Sequence, residues 1–108
     1  SDVCSSDLKD SGLWLASHTT EIGSLVSNDW RIAYYAGRHN DSNLIVEDVG
    51  KILHGLRKGR WPDAAYVALR LSRSATKTEA WVLDALGNAP EKVFEGDSGD
   101  RVLVYIRP

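Results

Sequence analysis

The sequence predicts a small α+β domain in which three helices precede a C-terminal β-hairpin. Three observations carry that expectation. Ile45, Val49, Ile52, Leu53 and Leu56 fall on a single helical face. Thr76-Lys77-Thr78-Glu79 has the spacing of a capping box, and Gly87-Asn88 follows eight residues later as a stop. Val93-Phe94-Glu95 and Arg101–Ile106 are two β-prone runs either side of Gly96-Asp97-Ser98-Gly99-Asp100, the composition of a tight turn. With 108 residues, 43% hydrophobic and 26% charged, the chain is sized and composed for one ordinary globular domain. Charge or glycine interrupts every apolar stretch well before the ~18 residues of a membrane-spanning helix.

The elements follow in order. Residues 1–8, Ser-Asp-Val-Cys-Ser-Ser-Asp-Leu, carry neither a signal-peptide design nor a periodic pattern. They resemble the translated sequencing-adaptor scar found fused to proteins read from environmental DNA. That resemblance implies that Cys4 has no role and, with no methionine anywhere, that the natural chain extends further upstream. Residues 1–10 are therefore expected to be a disordered or artefactual terminus making almost no buried contact. Lacking a second cysteine, a signal and an anchor, the remainder points to the cytoplasm. Residues 11–43 read as a strand-helix-strand segment: a strand at Leu13-Trp14-Leu15-Ala16, a short helix carrying Ile22, Leu25 and Val26, and a strand over Trp30–Ala36, rich in aromatic and β-branched residues. The polar loop Gly37–Asn43 is the expected boundary to the domain spanning 44–108.

Within 44–108 the first helix ends at Gly59. Gly50 and Gly55 each weaken it by about 1 kcal/mol relative to alanine, which suggests a close helix contact. Trp61-Pro62-Asp63 then restarts a helix with proline in its first turn, running Asp63 to Leu71. The same stretch also alternates, with Val67, Leu69 and Leu71 on one side and Tyr66, Ala68 and Arg70 on the other. Pro62-Asp63 and the alanines Ala64, Ala65 and Ala68 favour helix; a strand there would remove the reading that follows. The third helix runs from Thr76 to Leu86 with Leu83 and Leu86 inward.

Three helices, tight turns and a hairpin follow the order of the winged helix-turn-helix superfamily. Ile52–Gly59 resembles its first helix and glycine turn, Tyr66–Thr76 its second helix and Ser/Thr-rich turn, Trp81–Leu86 the apolar end of its recognition helix, and Val93–Ile106 its wing. The resemblance covers residues 44–108 and is one of apolar and turn positions. It implies duplex-DNA binding, with Arg70, Arg73, Ser74, Thr76 and Lys77 meeting phosphates and base edges and Arg101 in the wing reaching an adjacent groove.

Charge placement points the same way. Residues 51–77 hold seven cations against one acid, Asp63: a net +6 in a chain whose total is −2. Such segregation suits a phosphate-contacting face, and equally a solvated basic surface. Against base readout, Asp84 shares a helical stripe with Lys77 and Trp81. Tryptophan is a common interface anchor, so a protein-interaction module inside a larger assembly, or a homodimer, anchored by Trp61 and Trp81, is the second expectation. An inward, core Trp81 is a third reading of that side chain.

Catalytic signals are sparse. Gly96-Asp97-Ser98-Gly99 matches the nucleophile stretch of chymotrypsin-like proteases, but Asp100 stands where that family has glycine and the chain is far too short for two barrels. A turn is its expected role. His18, His39 and His54 have no ligand-spaced partner, so neither a metal nor a cofactor is expected. Glu79, Glu95 and Asp97 leave a small metal-dependent nuclease as a distant third function.

Overall fold

The computed structural model describes residues 6–19 and 24–107. Nine elements follow one another: α1 (Ser6–His18), β1 (Ser24–Ser27), α2 (Trp30–Tyr35), β2 (Ile45–Val46), α3 (Val49–Arg57), β3 (Ala64–Leu71), α4 (Thr76–Leu86), β4 (Lys92–Glu95) and β5 (Arg101–Ile106). The strands form one sheet in the order β2-β1-β3-β5-β4. The first three are parallel, β5 runs antiparallel to β3, and β4 runs antiparallel to β5. The class is α+β, as the sequence predicts, and the C-terminal hairpin is present.

Helices cover both sheet faces, and β3 shows why. Its Val67, Leu69 and Leu71 join Val26, Ile52, Leu53, Leu56 and Val82 in the core beneath α3 and α4. Its Tyr66 and Ala68 join Leu8, Leu15, Leu25, Ile32 and Val104 in a second core beneath α1 and α2. A central strand buried on both faces reads as a near-continuous apolar run. That is the physical reason the 63–71 stretch is not the second helix of a helix-turn-helix. Pro62 and Asp63 precede a strand instead, and the order becomes α3-β3-α4-hairpin.

Further expectations are corrected. Residues 13–16 lie within α1. Residues 30–35 are the short helix α2, because Asp29 caps it: its Oδ1 accepts from the Arg31 amide at 3.0 Å. Residues 24–27 are a strand, and Ile45 belongs to β2 rather than to the helix that follows; the helix expected at Ile22 lies outside the described residues. Residues 6–10 form the opening turns of α1 with Asp7 and Leu8 buried, whereas residues 1–5, Cys4 included, lie outside the described residues. The 37–43 loop separates segments that share the one sheet, since β1 stands between β2 and β3.

Two glycines are fixed by packing. A Cβ at Gly12 would lie 2.8 Å from the Ile32 carbonyl oxygen, so α1 and α2 meet backbone to backbone there. At Gly55 a Cβ would sit 2.6 Å from the Trp61 ring. The close contact anticipated for this helix is thus with an indole, and Gly50 has nothing within 4 Å. Among the described residues no helix is long and apolar enough to cross a membrane.

Candidate functional site

The chain leaves β1 toward β2 on one side and leaves β3 toward β5 and β4 on the other. The carboxyl ends of β1 and β3 therefore flank a topological switch point, the usual ligand-facing edge of such sheets. Here the Asn28 side chain closes the gap: its Nδ2 donates to the Arg70 carbonyl and its Oδ1 accepts from the Arg70 amide, each at 2.8 Å. Beside it, burial pushes the Asp29 carboxyl up. Hydrogen bonds and charge from Arg31, with Arg70 adding to them, outweigh that and hold it below the usual carboxylate range.

The six residues expected to meet nucleic acid divide here into two groups. Arg70 faces the α1 side, because strand alternation sends it opposite to Leu69 and Leu71. Its Nε lies 3.2 Å from Asp7 Oδ2 and its Nη2 3.0 Å from Asp100 Oδ2. Arg101, at the start of β5, donates to the Ser72 carbonyl at 3.0 Å and pairs with Glu79. Both guanidiniums are engaged inside the molecule. Arg73 and Ser74 on the β3–α4 turn and Thr76 and Lys77 in the first turn of α4 remain together and exposed. The Arg73 stem packs where a Gly99 side chain would be. Glu79, turned to Arg101, does not complete the capping box, and no side chain caps α4 at Ala75.

The +6 stretch is not one face. Lys51 pairs with Glu47 at 3.9 Å and Arg57 with Asp84 at 2.8 Å. Arg60 lies over the Trp61 ring at 5.4 Å. Lys58, Arg73 and Lys77 form no ion pair among the described residues.

The two tryptophans also part company. Trp61 is half-buried against α3 and its core, a packing residue and not a free anchor. Trp81 is 55% exposed. The inward position on α4 belongs to Val82, fully buried, and Leu83, expected inward, is 52% exposed. Leu86, also expected inward, does pack partly against that core, so the correction falls on Leu83 alone. Leu83 stands at the lip of a cleft of about 300 Å³, walled by Ala80, Ala89, Pro90 and Tyr105. Glu79 shares that cleft; burial, and then the Glu79 charge, push the Tyr105 hydroxyl up to about 12, so it remains a neutral donor.

No group of three or more His, Cys, Asp or Glu side chains is placed to hold a metal among the described residues. His18 stacks on Trp14 with centroids 4.5 Å apart, and His39 packs against Tyr34. The Gly96–Gly99 stretch is the β4–β5 turn: the Gly96 amide donates to the Asp100 carbonyl at 2.7 Å, and Gly99 takes φ +88°. Compared with protein-family models, curated proteins and solved structures, the chain finds no match.

Proposed function

We propose that this chain is a protein-interaction module that docks through the outward side of α4. One observation carries the reading: α4 fully buries only Val82, holds Leu83 exposed at an apolar cleft, and exposes Trp81 on the opposite flank of its outward side. Large apolar groups gathered on one helix mark contact surfaces, whereas scattered single ones do not. Tryptophan is among the residue types that most often anchor an interface. The winged-helix architecture is no part of this reading, since residues 64–71 are a strand.

Site-directed photo-cross-linking tests it. A photoreactive side chain replacing Trp81 is expected to give protein adducts in cells producing the chain, and the same group replacing Lys58 is not. Equal yields at the two positions would remove the proposal.

A second reading, contact with nucleic-acid phosphates, is favoured by the β3–α4 turn. There Arg73 and Lys77 lack ion pairs among the described residues, and Ser74 and Thr76 stand beside the uncapped amides of α4. Binding to duplex DNA should then weaken steeply between about 50 and 200 mM salt. Arg73→Ala with Lys77→Ala should flatten the log-affinity against log-salt slope by about 0.9 for each phosphate no longer neutralised. Equal binding by parent and double variant excludes this reading.

A further inference from the structure

We infer that the occupant of the α4 face is a second copy of this chain, the two helices packing antiparallel about a two-fold axis near Ala80 and Trp81. The inference rests on the α4 docking reading and adds the identity of the partner. Lys77, Ala80, Trp81 and Asp84 recur at i, i+3, i+4 and i+7, so they share the outward side of the helix. The cation lies at one end of this patch and the anion at the other, with the apolar residues between them.

That polarity makes the patch self-complementary. In an antiparallel pair, Lys77 of each copy lies beside Asp84 of the other, and both contacts attract. A parallel pair would set like charges together. A two-fold interface uses the same patch on both subunits, and this patch meets that condition without a change of residue.

The local structure leaves those groups available. Lys77 has no ion pair among the described residues. Asp84 Oδ2 accepts from Arg57 Nη2 at 2.8 Å, between two exposed side chains, and such surface pairs contribute little. Its Oδ1 has no partner among the described residues. Ala80, small and exposed at the centre, allows close backbone approach, while Trp81 and Leu83 on its flanks supply apolar area to cover. One helix per subunit makes a small interface, so the dimer should be weaker than about 1 μM.

Sedimentation equilibrium of the full chain, run up to ~1 mM, reads the association. A monomer–dimer equilibrium is expected. K77E and D84K, each alone, should weaken it about tenfold or more, because either one turns two attractive pairs into two repulsive ones. An equimolar mixture of the two variants should recover the parent affinity, since the K77E carboxylate then meets the D84K ammonium across the interface. Recovery on mixing cannot come from a folding defect in either variant, and thermal melts of each confirm the fold.

A chain that stays monomeric throughout, or a mixture that associates no better than its components, overturns the inference. In that event, cross-links from position 81 to a different protein leave the docking reading standing. No cross-links from position 81 overturn both.

Discussion

The two helical layers cover the same sheet in different ways. On one face, α1 sinks Leu8 and Leu15 into the core and meets α2 at Gly12, where the backbones leave no room for a side chain. On the other, α3 seats Ile52, Leu53 and Leu56, but α4 fully buries only Val82, packs Ala85 and Leu86 partly against the core, and leaves Trp81 and Leu83 outside. The first layer is seated along both of its helices, although Leu13, Trp30 and Tyr34 remain exposed on its outer side. The second is fully seated under α3 and only partly under α4, although α4 has as many apolar side chains to offer. Helix register decides this. A rotation bringing Leu83 inward would expel Val82 from contact with Leu69, Leu71 and Leu103. Apolar side chains are left outside on α2 as well, where Trp30 and Tyr34 are exposed; what sets α4 apart is the apolar cleft that its Leu83 lines.

This contrast can be broken at its foundation. Leu69, fully buried in β3 under α4, should cost about 2–5 kcal/mol of stability when changed to alanine, read by denaturant unfolding. A cost near that of a surface residue would mean that the α3–α4 layer is not packed as described. Next in size, Gly12→Ala should cost about 1–3 kcal/mol, because the added methyl meets the Ile32 carbonyl and the α2 backbone. Gly50→Ala, with open space around it, should be neutral or slightly stabilising in the same assay.

Asp29→Ala should cost about 0.5–2 kcal/mol by removing the cap of α2. The depressed carboxyl of Asp29 also sets a sign for pH. A group whose folded value lies below its unfolded one adds stability above the unfolded value of 3.8 and loses it as pH falls through the folded value. Acid titration of the melting temperature should therefore show a loss below pH ~4 that is smaller in Asp29→Ala. The smallest effect belongs to α4. Trp81→Ala and Leu83→Ala should each change stability by no more than about 0.5 kcal/mol while abolishing association. A large loss of stability in Trp81→Ala would return that residue to the core and close the surface.

The parts of the fold that were legible are those whose signals are local. α4 begins at Thr76 and ends against Gly87 in the left-handed region at φ +76°. Gly59, at φ +70°, stops α3. The hairpin announces itself through a Gly- and Asp-rich turn. The parts that misled are those decided by tertiary burial. In β3 both sides of the alternation are apolar because both are covered, and periodicity then cannot separate strand from helix. α2 is only six residues long, too short for a helical period to emerge over its aromatic composition.

The candidate site was half legible for a related reason. The Lys77-Trp81-Asp84 stripe is visible in the sequence, but its direction depends on which neighbour the core accepts. Val82 and Leu83 are both apolar, so the choice between them lies in the sheet beneath. Arg70 and Arg101 looked free because their carboxylate partners are distant in sequence: 63 and 30 residues for Arg70, 22 for Arg101.

The Asn28 amide has a consequence for exchange with solvent. β1 ends at Ser27, one rung short of the Arg70 amide, and a side chain takes up that rung with both a donor and an acceptor. The Arg70 N–H should consequently exchange with deuterium on the timescale of the sheet interior rather than that of a strand end. In Asn28→Ala it should exchange as a frayed terminus, with the amides at Val67 and Leu69 unchanged. This one proton would then report, in real time, whenever the carboxyl edge of the sheet opens.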